Sequence, residues 1–134
     1  MPIIGVGIDA VQISRFEEWR QKSMKSLKRV LSEQEIQYCL QEPRKSAERF
    51  AVRFAAREAL LKALQPLLIC SLPLLALCRN LKISRQVSGM PEIQIDWSGL
   101  NGYIKKPGDV DLLIHSSFTH TNACAHAIVV LEQL

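Results

Sequence analysis

Two carboxylates, Asp9 and Glu58, sit in unusual company. Asp9 ends the run Gly7-Ile8-Asp9 in an apolar stretch, and Glu58 lies between Arg53, Arg57 and Lys62. A hard divalent cation commonly takes one or two carboxylates and completes its shell with substrate oxygens and water, so these acids, if folded together, would form such a site. Two arginines and a lysine alongside suit a diphosphate, which points to phosphoryl-type chemistry. Phe54, Glu58 and Lys62 are spaced by four and share one face of a helix, with Arg53 and Arg57 on a neighbouring stripe. Each residue also has a plainer account taken singly. Glu58 and Lys62 read as a solvated helix pair, and Asp9 as a turn cap. His120, in Ser117-Phe118-Thr119-His120-Thr121, sits at a turn where an imidazole can reach a ligand or simply face water. His115 and His126 fall inside strand patterns and are read as packed or surface residues.

The elements that must position these residues are legible in outline. Ile3, Ile4, Val6, Ile8 and Val11, interleaved with Gly5 and Gly7, predict a buried strand that places Asp9 at or near its end. Ser14 with Glu17 predicts a short capped helix bearing Phe16, Trp19 and Lys22, and Ser32 with Glu35 predicts a second that stops before Pro43. From Lys45 to Leu64 there is no Gly or Pro, and Phe50, Phe54, Leu61 and Leu64 recur at helical spacing, so this is the central helix. Pro66 ends it. Alternation over 81–87 and 92–97 around Ser88-Gly89-Met90-Pro91 predicts a hairpin. Gly99, Gly102, Pro107 and Gly108 mark a loop, and two further strands are expected over 110–118 and 123–131. A strand, then helices, then mostly antiparallel strands indicates an α+β domain.

The 134 residues, 48% hydrophobic and 22% charged, fit one compact domain spanning 1–134. A net charge of +4 favours acidic or phosphate-bearing partners without the basic density of a nucleic-acid tail. Cys39, Cys70, Cys78 and Cys124 lack CxxC spacing and sit in apolar settings; they read as buried free thiols in a reducing cytoplasm. The start lacks the basic and small-residue marks of an export signal. The apolar stretch 67–78 is shorter than the roughly 20 residues a bilayer span needs and contains Pro73, so it reads as core or subunit interface and no membrane is expected.

Four segments, in order over most of the chain, resemble the motifs of the holo-acyl-carrier-protein synthases, the small bacterial 4′-phosphopantetheinyl transferases. They are Gly5 to Phe16, Arg53 to Ala63, the Gly89-Met90-Pro91 turn, and Ser117 to Thr121 with Ala125 and Ala127. The resemblance implies a mostly antiparallel sheet packed on a long central helix. It also implies transfer of the phosphopantetheine arm of coenzyme A to a serine of apo acyl carrier protein, releasing 3′,5′-ADP, in fatty acid biosynthesis. By position, Asp9 and Glu58 would hold Mg²⁺, Lys62 would donate to the diphosphate, and Glu58, directly or through water, would accept the serine proton. Arg53 and His120 would help hold the adenosine 3′-phosphate, with Thr121 in the same motif, and Gly89 to Pro91 would border the adenine.

The resemblance further implies a homotrimer with sites between subunits, and a docking helix for the acidic carrier protein bearing Arg15, Phe16, Trp19 and Arg20. Arg57 stands where the family commonly has lysine, Thr119 where it has serine, and Gln65 where the central helix usually ends in glycine. Gln65 is the departure that could rebuild the loop after that helix. Two other readings keep this composition. One is a non-catalytic module binding phosphate ligands or RNA through Arg53, Arg57, Lys62, Lys105 and Lys106. The other is a relative that binds coenzyme A without turnover. An aromatic content of 6% and no cluster of aromatics for stacking bases count against a nucleic-acid reader.

Overall fold

A computed structural model describes residues 2–105 and 111–134. Lys106, Pro107, Gly108 and Val110, which figured in the loop, strand and basic-patch expectations, lie outside the described residues. The long strand β1 (Ile3–Gln12) pairs antiparallel with β5 (Cys124–Gln133), which pairs in turn with β4 (Leu112–His120), giving the order β1-β5-β4. A separate antiparallel pair is made by β2 (Leu81–Arg85) and β3 (Pro91–Ile95). The architecture is α+β, as the pattern predicts.

The helix α3 (Ser46–Leu64) runs for 19 residues and lies across the inner face of β1 and β5. Ala125, Ala127, Val129 and Leu131 of β5 alternate inward against its Ala55, Ala59, Leu60 and Ala63. Small residues at this junction let the two backbones approach closely. A Cβ on Gly5 would overlap the carbonyl oxygen of Ala63, and one on Gly7 the carbonyl oxygen of Ala59. Those glycines set the height of α3 over the sheet, and with it the distance from Asp9 to the helix.

The capping box at Ser32 forms as expected and starts α2 (Glu33–Leu40), with the Ser32 side chain accepting from Glu35 N–H. Two short helices were not anticipated: α1 (Met24–Leu27), capped by Ser23, and α4 (Leu74–Cys78), which follows Pro73. After α3 the chain turns once more as a 3₁₀ helix over Gln65–Leu67, so Pro66 and not a glycine makes the exit. The apolar segment beyond folds largely into this chain's own core, with Leu72, Ala76 and Leu77 buried while Ile69 and Leu75 stay exposed. The hairpin strands are shorter than their alternation suggests, ending at Arg85 and Ile95. Its turn carries Gly89 at φ 85°, a conformation that favours glycine. Cys39 and Cys78 are buried, and burial pushes the Cys39 thiol up to about 12. Cys70 is exposed and Cys124 half-buried, which corrects the reading of all four cysteines as buried. Among the described residues no helix is long and apolar enough to cross a membrane.

The segment predicted as one docking helix is two 3₁₀ turns, Ile13–Phe16 and Trp19–Gln21. Ser14 does not cap it, because β1 runs on to Gln12 and the first turn starts directly from the strand. Phe16 is 1% exposed and packs its ring on Trp19 and Phe54 at 4.7 and 5.4 Å between centroids. Phe16 is thus a core residue and cannot be part of an exposed docking face. Arg15 and Arg20 remain on the surface.

Candidate active site and a neighbouring basic pocket

The close approach of β1 and α3 brings Asp9 onto the helix face that carries Glu58 and Lys62. Asp9 lies within β1, opposite Ala127, and not at the strand end. Lys62 Nζ donates to Asp9 Oδ1 at 3.1 Å and to the carbonyl of Ile8 at 2.9 Å, which leaves one of its three donors for a ligand. Asp9 Oδ2 is buried without a hydrogen-bond partner. Burial first, and the Asp9 charge second, raise the Glu58 carboxyl above its ordinary range; Lys62 and Arg15 offset this in part. An orphaned buried oxygen beside a carboxyl held too basic is what a divalent cation would relieve, so the donor set fits one. Among the described residues no group of three or more His, Cys, Asp or Glu side chains could close around a metal. The remaining ligands would come from substrate and water.

A second cluster lines a cleft of about 300 Å³ between α3, β4 and the β2–β3 turn. Arg53, Gly89, Pro91 and His120, all expected to touch one nucleotide, lie on its wall. His120 Nε2 is 2.9 Å from Glu48 Oε1. Thr121 does not join them. Its hydroxyl accepts from Ala123 N–H and Cys124 N–H and shapes the β4–β5 turn, so it acts as a turn residue facing away from this cleft. Asp9 and Phe118 flank Ala127 on opposite neighbouring strands, so within one chain the carboxylates and the cleft are separated by about two strand spacings, ~10 Å.

Residue-by-residue reading missed four participants. Glu35 is 1% exposed and joins three elements: Oε1 accepts from Arg57 Nη2 at 2.7 Å, Ile83 N–H at 3.0 Å and Ser32 Oγ at 3.0 Å, while Oε2 lies 3.3 Å from Arg53 Nε. Burial alone would raise its carboxyl, but the Arg57 charge and hydrogen bond, with smaller help from Ile83 N–H and Arg53, hold it below the usual range. The capping-box pattern marked Glu35 but gave no sign of this second duty. Tyr38, Arg49 and Arg85 complete the cleft, and they come from three separate elements, so no local spacing links them. Arg57 is fully buried, and Arg53 is 6% exposed, so neither contributes to an exposed basic patch of the kind an RNA-binding module would need.

The family model described as 4′-phosphopantetheinyl transferase superfamily matches residues 5–112. The chain belongs to this superfamily. A holo-[acyl-carrier-protein] synthase of Treponema denticola is 34% identical over 130 residues, covering 97% of this chain and 98% of that protein. One from a Geobacter species is 32% identical over 132 residues, covering 98% and 99%. Among solved structures, a holo-(acyl-carrier-protein) synthase from Bacillus anthracis in complex with CoA (3′,5′-ADP) superposes with TM-score 0.72 at 25% identity, covering 98% of each chain. The Helicobacter pylori holo-[acyl-carrier-protein] synthase in complex with coenzyme A superposes with TM-score 0.70 at 29% identity, covering 95% of this chain and 99% of that one. The antiparallel sheet on a long helix is therefore the fold of this superfamily.

Proposed function

We propose that the chain is a holo-acyl-carrier-protein synthase, a single transferase domain that moves 4′-phosphopantetheine from coenzyme A to a serine of apo acyl carrier protein in fatty acid biosynthesis, in the cytoplasm. The observation that carries the reading is the Asp9–Lys62–Glu58 cluster at the β1–α3 contact, beside a separate arginine-lined cleft. Asp9 and Glu58 would hold Mg²⁺, which when bound neutralises diphosphate charge and polarises the phosphorus under attack. The serine oxygen forms the new bond to the β-phosphorus as the bond to 3′,5′-ADP breaks. Glu58, directly or through bound water, would accept the serine proton. Lys62, with one donor free, stabilises the charge on the departing phosphate. Arg53 and His120 hold the far end of the nucleotide in the cleft, and Gly89 to Pro91 border its base.

The outer face of the three-stranded sheet supports a homotrimer: Val6, Ile8, Ile128 and Leu113 are 57%, 63%, 38% and 40% exposed, and Ile8 lies directly opposite Ile128. Arg15 and Arg20 supply charge for an acidic carrier protein, with the half-buried Trp19 between them. The test is the intact mass of an apo acyl carrier protein incubated with this protein, coenzyme A and Mg²⁺. A phosphopantetheine-sized gain that disappears with chelator, and with Asp9→Ala or Glu58→Ala, is expected. Full transfer by either variant would overturn the assignment of the carboxylates.

A further inference from the structure

The β2–β3 hairpin stands apart from the three-stranded sheet, yet its turn forms one wall of the cleft and α3 forms another. Whatever joins the hairpin to the helices therefore sets the spacing of those walls. Gln86 N–H donates to the Met90 carbonyl and Asp96 N–H to the Asn80 carbonyl, both at 2.8 Å. By the alternation of an antiparallel pair, the amides of Lys82 and Ser84 then point at β3, and that of Ile83 points away from it. Ile83 N–H meets Glu35 Oε1 at 3.0 Å in the protein interior. Among the described residues one other side-chain hydrogen bond joins the hairpin to a helix, from Arg85 to the Tyr38 hydroxyl, and it lies at the exposed rim.

The same Glu35 oxygen accepts from Arg57 Nη2 at 2.7 Å, and Arg57 Nη1 donates to the Arg53 carbonyl at 3.1 Å. One carboxylate thus ties the backbone of β2 to the backbone of α3. Its other oxygen faces Arg53 Nε at 3.3 Å, which leaves the two terminal nitrogens of Arg53 without a hydrogen-bond partner among the described residues, on the cleft wall. Apolar packing tolerates small slides, but a buried carboxylate between two guanidiniums cannot shift without leaving a buried charge unpaired; fixing register is the best-attested use of such groups. Glu35 is 1% exposed, so it does not itself reach a ligand. Resting on the transferase reading above, we infer that Glu35 is a positioning residue, which acts through Ile83 and Arg53 to hold the hairpin and α3 at the spacing that coenzyme A requires. Asp9 and Lys62 share no hydrogen bond or ion pair with this network, so its loss falls on coenzyme A binding and not on the transfer step.

The experiment uses two variants and two readouts. Glu35→Gln removes the charge and strands two buried arginines, so it is paired with the double variant Glu35→Leu/Arg57→Met, since apolar replacement of a buried ion pair is often neutral or stabilising. Steady-state transfer to apo acyl carrier protein with Mg²⁺ is the first readout. Both variants are expected to raise KM for coenzyme A about tenfold, the size of one lost charged hydrogen bond, with kcat and KM for the carrier protein nearly unchanged. Native-state amide exchange is the second. The amides of Lys82, Ile83 and Ser84 should exchange faster by a larger factor than those of β5, whereas a merely stabilising role would speed both alike. An unchanged KM for coenzyme A, or a fall in kcat alone, overturns the inference, and so does hairpin exchange that rises only in step with β5. If the parent protein transfers nothing, the transferase reading fails by itself, and the exchange result alone decides whether Glu35 holds the hairpin.

Discussion

Replacing Gly7 by Ala tests whether backbone contact between β1 and α3 sets the geometry of the active site. The added Cβ would overlap the Ala59 carbonyl oxygen and crowd Ala63 N, both backbone atoms of a helix that cannot rotate out of the way. Restoring ordinary separation requires α3 to retreat from the sheet by roughly 1.5 Å. Overpacking of this kind typically costs about 1–3 kcal/mol, and with backbone on both sides the upper end applies. The stiffer unfolded chain returns about 0.4–1 kcal/mol, for a net loss of about 2 kcal/mol. With a urea m-value of about 1–3 kcal/mol/M, the midpoint should fall by about 1 M while the protein remains folded in water. Equilibrium urea unfolding followed by the fluorescence of Trp19 and Trp97 reads this. Gly102→Ala is the internal control, since a Cβ there meets nothing within 4 Å and should leave the stability within about 0.5 kcal/mol of the parent's. Adding Ala59→Gly should not rescue Gly7→Ala, because the obstructing atom is a carbonyl oxygen and not a side chain. Transfer activity at full folding should drop as well, since the retreat carries Glu58 and Lys62 away from Asp9. A Gly7→Ala protein as stable and as active as its parent would refute the argument.

Phe16→Ala should destabilise the fold by about 3–5 kcal/mol, because a fully buried ring leaves a cavity among Trp19 and Phe54. Charge reversal at exposed Arg20 should instead leave the unfolding midpoint nearly unchanged and weaken carrier-protein binding in a salt-dependent way, as titration at two ionic strengths would show. Glu58 gives a pH signature. Its folded pKa is raised, so the native protein binds this proton more tightly than the unfolded chain, and its contribution to stability is present at low pH and is lost as pH rises through the raised value. Metal binding competes with the same proton. Mg²⁺ affinity should therefore fall as pH drops through the Glu58 pKa, and Glu58→Gln should flatten that dependence in a calorimetric titration; an unaltered profile would place the proton elsewhere.

Local sequence was enough for the elements whose signals are local. The absence of Gly and Pro over Lys45 to Leu64 and the helical recurrence of apolar residues led directly to α3, and the Ser32–Glu35 box to the start of α2. The strand-helix-strand order, with alternation around Gly89, was enough for the α+β class and the hairpin. Asp9, Glu58 and Lys62 could be picked out because an acid amid apolar or basic neighbours is unusual in itself, and motif order tied them to a family. The docking segment was misjudged for a physical reason. An aromatic residue flanked by arginines reads the same whether its ring faces water or a core, and only the Phe54 ring on the facing helix α3, with Trp19 folded over beside it, decides that Phe16 goes inside.

What tertiary structure decided was every relation between residues far apart in the chain. That Gly7 exists to admit Ala59, that one carboxylate at Glu35 holds Arg53, Arg57 and β2 together, and that Tyr38 collects arginines from α3 and β2 are facts of packing between elements. Periodicity records which face of an element is buried, but not which face of another element it meets. Charge shows this most plainly: in the sequence Arg53 and Arg57 form a basic stripe, and in the fold they are buried against Glu35, while Arg49 and Arg85, residues that no local pattern connects, join Arg53 on the cleft wall.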